Sequence, residues 1–190
     1  MTVPAKAAGR LSSGLQRFAP ILSLARTRNI NESATSRIVT HMLADLFGYD
    51  MYSDGAHEDD GYQMLIEVKA IGLELEDSHV RQAVDYASNR GIDWVALTNG
   101  RLWQVFRVIF SKPAGADLVL DLDLLALSAK KKGDLESLYL LTRESMLKSG
   151  LYAYHAHLQA KGARKKAARS SSDAVARRSG HPARPPALKL

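Results

Sequence analysis

Hydrophobic and polar positions follow two periods along this chain, and together they predict a mixed α/β protein. Apolar residues recur at helical spacing in four stretches, at 15–25, 31–47, 77–89 and 134–147, and the last can be extended to 160. Shorter apolar or alternating runs of strand length occupy 49–53, 63–70, 92–98, 102–110 and 117–124. Asn99-Gly100 separates two of these runs and is a strong hairpin signal. The expected architecture is a central sheet flanked by helices.

Local signals set the ends of the predicted helices. Asn29 or Asn31 is a good N-cap for the second helix, and Asn29 stands three residues before Glu32, the spacing of a capping box. Gly48 is expected to end that helix in a C′ role. Pro20 is expected to interrupt or start the first helix, because proline lacks the backbone donor that a helix interior needs.

Composition divides the chain into three parts. Residues 1–14 are rich in Ala, Gly and Ser and are predicted to be flexible, 15–158 form the domain, and 159–190 are predicted to be a disordered tail. Residues 161–190 hold nine of the 26 basic and one of the 20 acidic residues, a net charge of +8. The other 160 residues hold 17 basic and 19 acidic residues, a net charge of −2.

The basic tail has two readings that the sequence leaves open. Its positive charge attracts nucleic acid by neutralising phosphates, and Lys165 and Lys166 are candidate contacts. A solvated tail with no specific partner is the alternative. Cysteine is absent, which excludes disulfides and thiolate metal sites, and no apolar run has the length of a membrane span. We therefore expect a cytoplasmic protein with no membrane partner.

One predicted strand carries charges where a buried strand is normally apolar. Met64, Leu65, Ile66 and Val68 form its apolar positions, while Glu67 and Lys69 are two residues apart and project from the same face. A carboxylate supplies a hard oxygen ligand for a metal, and a lysine can orient or polarise an attacking water. The alternative is a structural ion pair at the rim of the sheet.

An ordered set of short motifs surrounds this strand and resembles the N-terminal nuclease domain of type I restriction enzyme R subunits, within the PD-(D/E)xK nuclease superfamily. The motifs cover roughly residues 15–158 and are Asn31-Glu32-x-x-Thr35, Leu46-Phe47-Gly48-Tyr49-Asp50, Leu65-Ile66-Glu67-Val68-Lys69-Ala70, Gln82-Ala83-Val84-Asp85-Tyr86-Ala87 and Gly91-Ile92-x-Trp94-Val95-x-Leu97-Thr98-Asn99-Gly100-x-x-Trp103. The resemblance implies a restriction-endonuclease-like fold and hydrolysis of DNA phosphodiesters with Mg²⁺, or with Mn²⁺ in its place. It also implies DNA, other restriction-modification subunits and a second copy of the chain as partners.

The resemblance implies a role for each matching residue. Glu67 corresponds to a metal-ligating acid, Lys69 to the catalytic lysine, and the carbonyl of Val68 to a further metal ligand. Gln82 and Tyr86 correspond to a pair on the following helix that orients the lysine or the nucleic-acid backbone. Packing of that helix face on the sheet is the alternative for this pair.

Glu32 corresponds to an acid on the first helix of the family that faces the site, and a capping-box role is its alternative. Trp94 and Trp103 are expected to pack in the core rather than stack on bases. The sequence shows no helicase, phosphate-loop, nucleophile-elbow or zinc motif, so the ATP-driven translocation of a full R subunit is not expected from this chain.

The chain departs from the family where an aspartate should precede the E-x-K strand. Only 16 residues separate Asp50 from Glu67, and Asp59 and Asp60 fall in an apparent acidic turn. Magnesium usually needs more than one carboxylate. An active nuclease therefore requires that Asp50, Asp59 or Asp60 take the place of the missing aspartate. Otherwise the chain is a remnant, or a catalytically inactive nuclease-fold module that binds DNA or a partner protein.

Overall fold

A computed structural model describes residues 2–50 and 64–178. Six helices and four strands occur in these residues, and the chain separates into two compact units, Met1–Tyr152 and Ala153–Leu190. In chain order the helices and strands are α1 (Ala5–Thr27), α2 (Glu32–Asp45), β1 (Met64–Val68), α3 (Asp77–Asn89), β2 (Trp94–Thr98), β3 (Leu102–Ile109), β4 (Gly115–Asp123), α4 (Lys132–Tyr139), α5 (Arg143–Leu147) and α6 (Gly150–Arg178). No helix in the described part of the chain is long and apolar enough to cross a membrane.

The four strands form one mixed sheet in the order β1-β2-β3-β4. β1 and β2 are parallel and are joined by the α3 crossover, whereas β2, β3 and β4 are antiparallel neighbours. Asn99-Gly100 makes the predicted hairpin turn, and Gly100 takes the left-handed φ of 82° that glycine tolerates. The predicted mixed α/β class, with a sheet flanked by helices, is confirmed.

Each face of the sheet packs against different helices. On one face, Val95 and Leu97 of β2 pack with Ala83, Val84 and Ala87 of α3. The other face carries Trp94 and Trp103, which are fully buried, so their predicted place in the core is confirmed. Phe47 meets Trp103 edge-to-face at a centroid distance of 5.1 Å, which joins the end of α2 to the sheet.

The N-terminal part of the chain differs from the prediction of a flexible segment over residues 1–14. Helix α1 begins at Ala5 and continues through Pro20 without interruption. Ala7 and Leu11 are buried within it, so tertiary packing overrides the low-complexity composition. Arg10 adds a polar anchor, because its guanidinium binds Glu144 and the carbonyl oxygen of Leu46.

The start of α2 corrects the predicted capping box. Asn31 is the N-cap and its side-chain oxygen accepts a hydrogen bond from the amide of Ala34 at 3.0 Å. Asn29 lies outside the helix with a φ of 46°, so Glu32 is the first helical residue and not a capping-box partner. Gly48 has the expected left-handed backbone, with φ of 79°, shortly after the helix ends.

Where one C-terminal helix was predicted, the chain forms α4, α5 and α6. Thr142 separates α4 from α5 because its backbone is extended. It is the N-cap of α5, and its side chain accepts a hydrogen bond from the amide of Ser145. Ser149, with a φ of 55°, separates α5 from α6. Residues 159–178 of the predicted disordered tail are helical, in keeping with the high helix propensity of Ala, Lys and Arg, and 179–190 lie outside the described residues.

The predicted strand at 49–53 is not found in its described part. Tyr49 and Asp50 have no strand structure, and residues 51–53 lie outside the described residues, as does the predicted acidic turn after them. The remaining strands agree with their predicted positions to within about two residues at each end.

Candidate functional site

The two charges of the motif strand meet where β1 ends. Glu67 is the fourth residue of β1 and Lys69 follows its last residue, Val68. The Lys69 Nζ atom lies 2.7 Å from Glu67 Oε1, so the side-by-side arrangement expected from the i, i+2 spacing is confirmed. The amide of Lys69 also donates to the carbonyl of Thr98 at 2.8 Å, which extends the pairing of β1 with β2 past Val68.

This pair lies at the carboxyl ends of the two parallel strands. Glu67 is level with Leu97 of β2, and Leu65, one pleat earlier, is level with Val95. Leu65, Val95 and Leu97 pack in the core beneath α3, and Glu67 projects from that same face of the sheet beside Leu97. In open α/β sheets, the carboxyl ends of parallel strands are the usual place for a ligand.

The two side chains differ in their access to solvent. The Lys69 side chain is 14% exposed, whereas the Glu67 side chain is 36% exposed. A mostly buried lysine side chain is therefore paired with a glutamate side chain that is the more exposed of the two. This carboxylate can accept a cation or a proton donor from solution, while the ammonium keeps a positive charge beside it.

Gln82 and Tyr86 lie one turn apart on α3, as their spacing predicts, but on its solvent side. Both are exposed, while Ala83 and Ala87 face the sheet, so the alternative that the pair packs on the sheet is wrong. The Tyr86 ring lies under the Arg90 guanidinium at 4.8 Å. Among the described residues, the structure forms no hydrogen bond between Gln82 or Tyr86 and the Glu67–Lys69 pair.

The predicted metal ligands form no group of three or more side chains in the described part of the chain. Glu32 is exposed in the first turn of α2, Asp50 is exposed after it, and Asp60 lies outside the described residues together with Asp59. Over residues 2–50 and 64–164 no group of three or more His, Asp or Glu side chains is placed to hold a metal. A site with fewer than three such side chains does not fit the oxygen-rich shell that magnesium requires.

Lys165 and Lys166, the candidate phosphate contacts, belong to the part of α6 that lies in the second compact unit. Of the residues before them in that unit, 153–164, none is buried. This stretch of α6 thus has no buried apolar face of its own, which is typical of a solvated helix.

Two buried polar residues lie beside the site, and the sequence predicted no role for either of them there. Asn99 is 3% exposed, and its Nδ2 donates to the carbonyl of Leu73 at 2.9 Å. Thr35 is fully buried, and its Oγ1 accepts from the amide of Ile71 at 3.1 Å. Both bonds reach the loop that follows Lys69. The Asn-Gly signal predicted the turn, but nothing local in the sequence indicates the distant carbonyl that Asn99 binds.

A second polar cluster lies at the opposite end of β2. Asp93 forms an ion pair with Arg107 at 2.5 Å and accepts a hydrogen bond from the Tyr152 hydroxyl. Burial acts to raise the pKa of Asp93, but the hydrogen bonds from Tyr152 and Arg107 outweigh it and hold that pKa below its ordinary value. The Tyr152 ring also packs edge-to-face on Trp94 with a centroid distance of 5.2 Å, so this cluster packs the first turn of α6 against the sheet.

Comparison with known proteins returns no match, whether the chain is set against protein-family models, curated proteins or solved structures. What the fold and site define is a mixed α/β protein with a four-stranded sheet flanked by helices. A Glu–Lys ion pair, in which the glutamate is the more exposed partner, lies at the carboxyl end of its parallel strands.

Proposed function

We propose that this protein is a restriction-type DNA endonuclease with a restriction-endonuclease-like fold, in which Glu67 and Lys69 are the central catalytic residues. The observation that carries the proposal is their 2.7 Å pair at the end of β1, with the carboxylate facing solvent. The motif resemblance of the sequence supports it, as does a mixed sheet whose E-x-K strand is followed by a helix bearing Gln82 and Tyr86.

The chemistry assigned to each residue follows from its charge and exposure. Lys69 places a positive charge where a phosphodiester would develop negative charge, and Glu67 offers a carboxylate to a cation or to water. Gln82 and Tyr86 present polar groups on the exposed side of α3, where a nucleic-acid backbone can reach them.

Magnesium dependence is the demanding part of the proposal. The described residues provide Glu67 and the backbone carbonyl of Val68, and a magnesium site needs further oxygen ligands. Residues 51–63 contain four acids in their sequence, Asp54, Glu58, Asp59 and Asp60, so an active enzyme must draw at least one ligand from these or from Asp50 or Glu32. Metal binding is therefore a direct test of the proposal.

The basic tail, residues 161–190, which begins within α6, supplies the second element, which is DNA affinity. Residues 161–190 have a net charge of +8, against −2 for the rest of the chain. Lys165 and Lys166 belong to this segment, and such a charge supports binding to phosphates without sequence preference. The Glu67 end of β1 then carries the chemistry and the tail raises the local DNA concentration.

Calorimetric titration of Mg²⁺ and Mn²⁺, followed by plasmid cleavage, tests the proposal on four proteins. The wild type should bind metal and cleave, Glu67→Gln should lose both, and Lys69→Met should lose cleavage. The control Asp45→Asn breaks the exposed Arg17–Asp45 ion pair, also 2.7 Å long, and should keep both activities. Cleavage by Lys69→Met at the wild-type rate would refute the assignment.

A catalytically inactive nuclease-fold module that binds DNA or a partner protein is the second candidate. The observation that favours it is the closed Glu67–Lys69 ion pair, with no group of three acidic or histidine side chains around it in the described residues. For this candidate we expect salt-dependent DNA binding, no metal heat and no turnover. Metal-dependent cleavage that Glu67→Gln abolishes would exclude it.

A further inference from the structure

The loop that follows Lys69 is held by side chains from three separate elements. Residues 70–73, here called the anchor loop, contain Ile71, which is 3% exposed although it lies outside any regular element. A loop with a buried residue must satisfy its backbone polar groups within the protein. How it does so determines how firmly Lys69 is placed.

Thr35 supplies the first contact, from α2. Its hydroxyl accepts from the amide of Ile71 at 3.1 Å and donates to the carbonyl of Asn31 at 3.0 Å. The hydroxyl thus uses its donor within α2 and keeps an acceptor for the anchor loop. Because Thr35 is fully buried, no water can replace it without a rearrangement of the core.

Asn99 supplies the second contact, from the turn between β2 and β3. Its Nδ2 donates to the carbonyl of Leu73 at 2.9 Å, while Oδ1 accepts from the amide of Leu102 at 2.8 Å and that of Arg101 at 3.2 Å. Both ends of the amide are therefore used. No side chain of similar size provides a donor toward the loop and an acceptor toward the turn in this geometry.

Asn29 supplies the third contact, from the turn between α1 and α2. A Cβ built on Gly72 would lie 1.9 Å from Asn29 Oδ1, so the two groups are in close approach. The anchor loop also closes on itself, because the amide of Leu73 donates to the carbonyl of Ala70 at 3.0 Å. Its position is thus determined on three sides.

We propose that Asn99 and Thr35 are positioning residues that hold the Lys69 ammonium against Glu67 through the anchor loop. This inference rests on the proposed function for its catalytic consequence, but the placement of Lys69 is measurable without turnover. Lys69 is bound to the sheet on one side through its amide and Thr98, and the two anchors hold the chain directly after it. Loss of an anchor frees the peptide that sets the direction of the lysine side chain.

Two variants and one matched control test this inference. Thr35→Val and Asn99→Leu remove the anchoring groups at nearly constant volume. Thr142→Val is the control, since Thr142 is likewise fully buried and its hydroxyl bonds to the backbone, donating to the carbonyl of Tyr139 at 2.7 Å, but it does not contact the anchor loop. All three variants should lose some thermal stability, so stability alone does not separate them.

The separating readouts are amide exchange of Ile71 and the NMR signal of the Lys69 ammonium. Both anchor variants should exchange the Ile71 amide at least about tenfold faster and broaden the ammonium signal, and Thr142→Val should change neither. If DNA is cleaved, kcat should fall by about 10- to 100-fold with little change in KM, because a shift of about 1 Å in a catalytic group has that effect.

The outcomes also distinguish this inference from the proposed function. An unchanged Lys69 signal in both anchor variants would overturn the inference, even if the wild type cleaves DNA. A changed signal in a protein that never cleaves would support the anchors and refute the nuclease. Equal changes in Thr142→Val would show that the effect is general loosening, which also overturns the inference.

Discussion

Arg10 allows a sharp test of whether the N-terminal helix is a structural part of the fold. Its guanidinium donates to both carboxylate oxygens of Glu144, at 2.6 and 2.7 Å, and its Nε donates to the carbonyl of Leu46 at 3.1 Å. Leu46 is fully buried at the end of α2, so this carbonyl has little access to water. Arg10→Met keeps the aliphatic stem and removes every one of these bonds.

The size of the effect follows from these contacts. The Arg10 and Glu144 side chains are 22% and 38% exposed, so after solvent screening their bidentate pair contributes about 1 kcal/mol. Leaving the Leu46 carbonyl without its charged donor costs about 2 kcal/mol more. We therefore expect Arg10→Met to lower the free energy of unfolding by about 3 kcal/mol, and Tm by roughly 6–12 °C for a chain of this size.

Urea unfolding of Arg10→Met beside Arg17→Met measures this loss against a matched control. Arg17 also lies on α1 and pairs with Asp45 at 2.7 Å, but its side chain is 60% exposed, so we expect a change within about 0.5 kcal/mol. A loss in Arg10→Met as small as the one expected for Arg17→Met would refute the reasoning. The contacts of Arg10 with Glu144 and Leu46 would then contribute nothing measurable to stability.

The Arg10–Glu144 ion pair should make the free energy of unfolding depend on pH. The hydrogen bond from Arg10 is the main reason that the pKa of Glu144 lies below its ordinary value of 4.5. A depressed folded-state pKa stabilises the native state above the unfolded value, and that stabilisation is lost as the pH falls through the folded value. The gap in stability between wild type and Arg10→Met should therefore be constant near neutrality and narrow below about pH 4. A gap that is unchanged at pH 3 would contradict this.

Three further predictions concern α1, the basic helix and the cluster around Asp93. Gly14→Ala should destabilise by about 1–3 kcal/mol because its Cβ would lie 2.4 Å from Leu46 Cδ1. Gly9→Ala, with nothing within 4 Å, should stabilise by about 0.5–1 kcal/mol, and thermal melts in which both variants shift the same way would contradict the contrast between the two sites. Lys165→Ala with Lys166→Ala should weaken DNA binding and reduce the slope of log K against log salt by up to about 2, and an unchanged slope would show that neither contacts phosphate. Tyr152→Phe removes a hydrogen bond that lowers the pKa of Asp93, so that pKa should rise toward its ordinary value of 3.8 in an NMR titration, and no movement would show that Arg107 alone holds it down.

Local patterns were sufficient for the elements whose signals lie within their own residues. The helical stripe and Asn31 cap of α2, the amphipathic α3 and the Asn99-Gly100 hairpin all form close to their predicted positions. The i, i+2 spacing was likewise enough to bring Glu67 and Lys69 together, because strand geometry alone puts them on one face.

Other features depended on contacts between distant parts of the chain. Residues 5–14 are helical because Leu11 is buried and Arg10 reaches Glu144, 134 positions away, and no local pattern in an Ala-, Gly- and Ser-rich segment reveals that. The break at Thr142 has the same origin, since the amide of Arg143 donates to the carbonyl of Phe47 and so directs the chain away from one continuous helix.

The candidate site shows the same division between sequence and tertiary structure. The sequence by itself determined which residue types stand on the motif strand, and therefore that a carboxylate and an ammonium would emerge side by side at its end. Only the tertiary structure decided that the lysine is mostly buried, that the glutamate faces solvent, and that Thr35 and Asn99 anchor the loop behind them. Burial and long-range hydrogen bonds depend on which elements pack together, and that is a property of the assembled fold rather than of any one segment.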